Sequence, residues 1–265
     1  DMWNADIARY REAAKLPAFR SGRYAALLTP LVSDPGTRWE YSTSIDFAGR
    51  AVEAASGQRL DDYFEAHIFR PLGMIDTAFR IRPDMRARLA RVHARGPDGA
   101  LTPIDFEVAQ EPEFFGGGGG LYGTAADYIR FLQMLLGGGA GAGARLLKPE
   151  TVALMAQNHI GDLAVTPLIS ANPALSSDAH FHAGPDRRWG LGFCINAQPT
   201  AEGRSAGSLA WAGLANTYYW IDPARDLCGV ILMQVFPFAD RNCLAAFADF
   251  EREIYHALDS SSRAA

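Results

Sequence analysis

The strongest constraint on the fold is the run from Ser208 to Phe236, SLAWAGLANTYYWIDPARDLCGVILMQVF. It reads as a strand over Ser208–Gly213, a tight turn through Leu214-Ala215-Asn216, and a return strand over Thr217–Ile221. A second turn through Asp222-Pro223 and Ala224-Arg225-Asp226 leads into a third strand, Leu227–Phe236. Three β-rich runs divided by such turns predict an antiparallel meander. Apolar residues fall on both alternation faces of the last two runs, so both sides of this sheet must be covered. Gly213 and Trp211 close the first strand. A glycine there admits a ligand to backbone N–H groups beside an aromatic wall, although a buried tryptophan and a turn glycine explain the same residues.

The chain before the meander is mostly helical. Asp6–Leu16 is predicted as a helix stopped by Pro17, and Ile45–Ala55 as an amphipathic helix with Ile45, Ala48, Gly49, Val52 and Ala55 on its apolar face, closed by Ser56-Gly57. Leu60–Ile68 is the next, ending before Pro71. Residues 80–112 read as loop with weak strands. Gly116–Gly120 precede Thr124, which reads as the N-cap of Ala125–Leu136, and Lys148-Pro149-Glu150 opens a further short helix. Residues 161–188 read as a long loop and Trp189–Ala197 as the first strand of the C-terminal sheet. Arg241–Leu258 is a final helix with SSSRAA as a frayed tail. The order predicts an α+β fold: a helical part over 1–160, then over 161–265 an antiparallel sheet with a C-terminal helix.

Composition narrows the function classes. The 265 residues carry 25 basic and 30 acidic side chains, a net charge of −5 that favours no nucleic-acid partner. No run reaches the roughly 18 apolar residues of a membrane span. Three cysteines (Cys194, Cys228, Cys243) lack metal-ligand spacing and predict buried free thiols in a reducing, cytoplasmic setting; Cys194 and Cys228 both fall in predicted strands and could pair. His180-x-His182 has no third ligand nearby, so neither a metal nor another cofactor is expected. Gly203-Arg204-Ser205-Ala206-Gly207 has the G-x-S-x-G form but is followed by a strand where a nucleophile elbow needs a helix, and reads as a hairpin loop. The glycine run lacks the Lys-Ser/Thr of a phosphate loop.

Tyr41 remains. A tyrosine after a turn and at the mouth of a helix can hold its hydroxyl toward a cleft, and acts as a base near pH 7 only if cations lower its pKa. Tyr41-Ser42-Thr43, within DPGTRWEYSTSIDFAGRAVEAASG, resembles the Tyr-x-Asn motif of the serine β-lactamase-related enzymes, which include penicillin-binding proteins, class C β-lactamases and family VIII carboxylesterases. HIFRPLGMIDTAF and GGGGLYGTAADYIRFLQMLLGGG match two further family segments in order, and Trp211-Ala212-Gly213 stands where β-lactamases carry Lys-Thr-Gly.

The resemblance implies a β-lactamase/transpeptidase-like fold, a helical subdomain plus an antiparallel sheet flanked by helices, and a small ester or amide substrate. It implies Tyr41 as the proton-transferring group, the Leu214 N–H as an oxyanion donor, and Trp211, Ala212 and Gly213 as substrate contacts. Gly119 falls at the acyl-pocket wall. Two departures matter. The lysines are Lys15 and Lys148, preceded three residues earlier by Glu12 and Arg145, so the family's Ser-x-x-Lys is absent. This predicts that an N-terminal segment or a second chain completes the fold and supplies the nucleophile, and that these residues alone are inactive. Trp-Ala-Gly and Thr43 remove groups that bind a substrate carboxylate and a side-chain carbonyl, which moves the expectation from β-lactams toward neutral esters. β-Lactam hydrolysis, acyl transfer and a catalytically inactive scaffold are the competing functions.

Overall fold

The computed structural model describes residues 2–180 and 187–264, with side chains to residue 260. The chain opens with α1 (Ala5–Ala13), whose N-cap Asn4 accepts from the Ile7 N–H at 3.0 Å, followed by short 3₁₀ turns. α2 (Ser44–Ser56) ends at Gly57 in the left-handed region, φ +70°. α3 (Leu60–Phe64) continues through a π turn, Glu65–Phe69, into α4 (Arg70–Leu72), and α5 (Pro83–Arg86) is a single turn. β1 (Val92–Arg95) and β2 (Leu101–Ile104) form a hairpin. α6 (Ala125–Leu136) is followed by the two-residue strands β3 (Ala140–Gly141) and β4 (Ala144–Arg145), then α7 (Pro149–Met155). Thr124 caps α6 as predicted, accepting from the Asp127 N–H at 3.2 Å.

The C-terminal half forms a five-stranded antiparallel sheet in the order β5 (Arg187–Trp189), β6 (Cys194–Asn196), β7 (Leu209–Gly213), β8 (Thr217–Asp222), β9 (Leu227–Ile231). β10 (Val235–Phe236) leads to α8 (Arg241–Ala264). The α+β expectation holds, and the sheet is covered on both faces. Leu209, Ile221 and Ile195 pack with Leu132 and Leu135 of α6, while Ala210, Tyr218 and Trp220 pack with Phe247 and Tyr255 of α8. Two family-like segments meet here: the buried Asp127 carboxylate accepts from the Asp76 N–H at 2.7 Å and the Thr77 hydroxyl at 2.9 Å, fixing α6 to the turn after α4.

Several local expectations give way to tertiary contacts. The third strand predicted over Leu227–Phe236 divides into β9 and β10, and β10 joins a second sheet, pairing parallel with β1. The Val235 N–H donates to Ala215 O and the Gln234 carbonyl accepts from His93 N, so the backbone changes partners midway through an unbroken apolar run. Trp189–Ala197 is a hairpin, β5–β6, because Gly190 N bonds Phe193 O at 2.8 Å and closes a turn. The helix predicted to stop before Pro71 runs past it through the π turn, with the proline in the first turn of α4, where its ring and missing N–H are tolerated. Helix α8 also continues through the serines of the predicted tail.

On α2 the predicted apolar face is only partly the buried one: its Val52 is half-buried against Leu60, Phe79 and Phe115. Asp46 and Gly49 are buried, whereas Ile45 is 42% exposed and Ala48 and Ala55 are open to solvent. The glycine run occupies the 46/49 side: a Cβ at Gly117 would lie 2.3 Å from Ile45 O, and one at Gly49 would lie 3.1 Å from Gly117 N. Backbone against backbone replaces the expected side-chain packing. Leu28, Leu31 and Phe47 are likewise exposed.

Candidate active site

The segment leading to α2 is fixed from outside. Glu40 accepts from the side chain of Asn4 and pairs with Arg38 at 2.7 Å, which delivers the next residue, Tyr41, to the edge of the five-stranded sheet. There the Trp211 indole N–H donates to the Tyr41 hydroxyl at 3.2 Å, with ring centroids 4.9 Å apart. Trp189 from β5 lies edge-on to Trp211 at 4.5 Å, and Trp39 completes the cluster 5.3 Å from Trp189 and 6.4 Å from Tyr41. Three tryptophans and Tyr41, from three separate segments, thus form one aromatic cluster, with the phenolic oxygen bonded to the Trp211 indole.

The electrostatics follow from that enclosure. Burial raises the Tyr41 phenol above its ordinary value; the Trp211 hydrogen bond offsets part of this, and the Asp46 charge adds to it. No cation among the described residues pulls the value down. The phenol therefore stays protonated near neutral pH, poised to give or relay a proton, and needs a cation from beyond these residues to serve as a base.

Beyond Trp211 the strand runs into the turn at Leu214. Strand alternation sets the Ala212 side chain on the face opposite Trp211, leaving only its backbone for a ligand on the Tyr41 side. The half-buried Leu214 donates its N–H to no group among the described residues. Gly213 has a local reason to be glycine: a Cβ there would fall 2.3 Å from the Thr217 hydroxyl across the hairpin. Gly213→Ala is expected to destabilise the protein by about 1–3 kcal/mol. Adding Thr217→Ala should recover most of that, because the next contact, Thr217 Cβ, is 3.7 Å away. Urea titration of both variants checks this.

Gly119 stands apart, with no hydrogen bond to Tyr41 or β7 among the described residues. It is exposed, and an added Cβ meets nothing within 4 Å, whereas Cβ atoms at Gly116 and Gly118 would lie 2.7 Å from Asp46 Oδ1 and 2.4 Å from Ile45 Cγ2. Gly118 N bonds Asp46 Oδ1 at 3.0 Å, which ties the run to the first turn of α2, a few residues beyond Tyr41.

Trp39 and Trp189 were not legible as site residues from sequence. Trp39 lies two residues before Tyr41, but only the register Trp189↔Cys194 and Cys194↔Ala210 brings Trp189 to the same corner. The same two tryptophans wall a cleft of about 520 Å³, completed by the apolar Ile160 and Leu163 with Arg38 and His159 among its polar groups. Ser205 lies in the β6–β7 loop, as its surroundings predicted, where its N–H bonds Asp222 Oδ2 at 2.8 Å. Cys194, Cys228 and Cys243 are all free, Cys228 only half-buried, and burial pushes the Cys194 thiol up to about 11. The described residues hold no group of three or more metal-ligating side chains, and His182 lies outside them. No described helix is long and apolar enough to cross a membrane.

Comparison with known proteins places the chain in a family. The chain is 35% identical over 254 residues to the monacolin J acid methylbutanoyltransferase of Aspergillus terreus, covering 90% of this chain and 59% of that protein. It is 33% identical over 239 residues to the lovastatin esterase of Penicillium rubens, covering 85% of this chain and 58% of the esterase. The chain thus spans under two thirds of the length of these relatives. Among solved structures, unliganded simvastatin synthase from Aspergillus terreus superposes with a TM-score of 0.76 at 31% identity, over 94% of this chain and 62% of that one. EstCE1, a hydrolase with promiscuous acyltransferase activity, superposes at 0.65 with 24% identity, over 86% of this chain and 60% of that one, which supports the fold. A family model described as Beta-lactamase matches residues 11–253, nearly the whole chain, and on that match this chain belongs to the Beta-lactamase family, with the β-lactamase/transpeptidase-like fold its motifs implied.

Proposed function

We propose that these residues form one wall of a serine acyl-enzyme site that cleaves neutral carboxylic esters. The observation that carries this is the Trp211–Tyr41 contact: the position where a β-lactamase places a cation holds an indole N–H, bonded to the phenol inside an aromatic enclosure. Such a corner offers no charge to a substrate carboxylate and favours an apolar, uncharged ester. A lovastatin esterase among the relatives supports the same reading.

In this scheme a serine oxygen attacks the ester carbonyl, and the negative charge that develops on the carbonyl oxygen is met by the Leu214 N–H. The serine hydroxyl's proton passes by way of the lysine partner to Tyr41 as Tyr41 gives its own to the departing alkoxide, which leaves as the alcohol. Water then attacks the acyl-enzyme, a water proton returns to the serine oxygen, and the carboxylic acid is released. The serine and its lysine partner would come from residues outside these 265, on an added segment or a second chain, because neither Lys15 nor Lys148 follows a serine at the Ser-x-x-Lys spacing. Transfer of the acyl group to an alcohol instead of water is the second reading. The acyltransferases among the relatives support it.

The test is a comparison of kcat/KM on p-nitrophenyl butyrate and nitrocefin, using the protein that carries the nucleophile with these residues. Ester preference by orders of magnitude is expected, and the opposite preference overturns the assignment. Labelling by a fluorophosphonate separates either enzyme from an inactive scaffold, which would not react.

A further inference from the structure

The turn that carries the Leu214 N–H is held by a side chain that no part of the proposed reaction uses. We propose that Asn216 is a positioning residue for the oxyanion donor, presetting the β7–β8 turn, with Asp240 and Arg95 extending its support to β1. This rests on the reading of Leu214 as an oxyanion donor.

Asn216 is fully buried and sits in the left-handed region at φ +60°, which a short amide side chain tolerates better than most. A primary amide has two donor hydrogens and two acceptor lone pairs, and all are used. Nδ2 donates to Val235 O at 2.7 Å and to Pro237 O at 2.8 Å. Oδ1 accepts from the Tyr218 hydroxyl at 2.6 Å and from Asp240 N at 3.2 Å. The backbone of the turn is pinned as well: Asn216 N bonds Gly213 O at 3.0 Å, and Ala215 O accepts from Val235 N at 3.2 Å. Every one of these bonds flanks Leu214, and none uses its N–H. A donor left spare between fixed neighbours is what stabilisation of a developing oxyanion requires, because it costs no reorganisation when charge appears.

The support reaches further through Asp240, also buried. Its carboxylate accepts from Asn242 N and Cys243 N, both at 3.1 Å, capping α8, and from the Arg95 guanidinium at the end of β1. Burial works to raise the Asp240 carboxyl, but Arg95 and the bonds from Cys243 hold it below its ordinary value, so the anion persists near neutral pH. The turn, β10, the N-terminus of α8 and β1 therefore share one polar junction whose centre is Asn216.

The test compares Asn216→Gly, which keeps the backbone conformation and deletes the four side-chain bonds, with Leu214→Pro, which deletes the donor. In the protein that carries the nucleophile, Leu214→Pro is expected to lower kcat by about 10²–10³. Asn216→Gly, folded by circular dichroism at the assay temperature, is expected to lower kcat by roughly 10-fold or more with KM nearly unchanged, the signature of a loss confined to the transition state. In the 265-residue chain, ¹⁵N relaxation should show the Leu214 amide falling from an order parameter of about 0.85 to below about 0.6 in Asn216→Gly. If Asn216→Gly keeps both kcat and the order of Leu214 while Leu214→Pro loses activity, the positioning role is wrong and the donor stands. Unchanged kcat in a folded Leu214→Pro removes the donor itself, and the positioning role with it. Should Asn216→Gly not fold, Asn216→Asp, equal in shape but without the two donations, is judged by the same two readouts.

Discussion

Tyr41→Phe is expected to lower kcat for ester cleavage by about 10²–10⁴, the usual worth of a positioned proton-transfer group, while leaving the protein folded. The phenylalanine ring keeps the contacts to Trp39, Trp189 and Trp211, so only one oxygen is lost. That oxygen is the acceptor for the Trp211 indole, and losing this one bond costs about 0.5–1.5 kcal/mol, enough to lower a melting temperature without unfolding the chain. Stopped-flow release of p-nitrophenol, read beside a thermal melt, separates the two effects. A variant that melts lower yet keeps its kcat would reduce Tyr41 to a packing residue. The pH profile adds a second check. With the folded pKa raised by burial, phenolate cannot be the resting form near neutrality unless a cation from beyond the described residues stands beside it. A basic limb set by Tyr41 below its ordinary pKa would therefore report that cation directly.

The largest stability effect is expected away from the site, at the buried pair Arg204–Glu251. The two side chains are 5% and 1% exposed, 2.8 Å apart, with the Thr200 hydroxyl adding a bond to Glu251 at 3.2 Å. Glu251→Leu leaves a guanidinium buried between the β6–β7 loop and α8 with no carboxylate beside it, which should cost about 3–5 kcal/mol. Arg204→Met with Glu251→Leu should recover most of the loss, because the charge and its partner then leave together. Denaturant midpoints of Glu251→Leu, Arg204→Met and the double variant decide it, and additivity in the double variant would show that the two residues act independently. The direction of the Glu251 shift gives a pH check. Burial raises its carboxyl despite Arg204, so Glu251 contributes stability below its unfolded pKa, lost as pH rises through the higher folded value. That slope should vanish in Glu251→Leu.

Much of the local framework was readable before any coordinates. Thr124 as a cap, Gly57 as a stop and the β7–β8–β9 meander all rest on contacts within a few residues or on strand alternation, and the structure keeps them. The Tyr41 and Trp211-Ala212-Gly213 segments were legible because family motifs mark them, and their indole-to-phenol bond brings them together across the fold. Gly213 shows the limit of that reading. Its place in a motif suggested room for a ligand, yet the atom that forbids a side chain there is the Thr217 hydroxyl of the neighbouring strand.

By itself the sequence determined the kinds of elements, their turns and the family, because periodicity, caps and glycine positions report the local geometry of a segment. Tertiary structure alone decided which partner each segment takes. It split the apolar run at Leu227–Phe236 between two sheets, set Trp189 against Trp211, and turned the glycine-rich stretch onto the backbone of α2 at Gly49. It also gave Asn216, in sequence only a turn residue, four side-chain bonds. The reason is physical. A hydrophobic pattern fixes that a residue is buried, whereas hydrogen bonds between distant backbones and the shapes of facing surfaces fix what it is buried against.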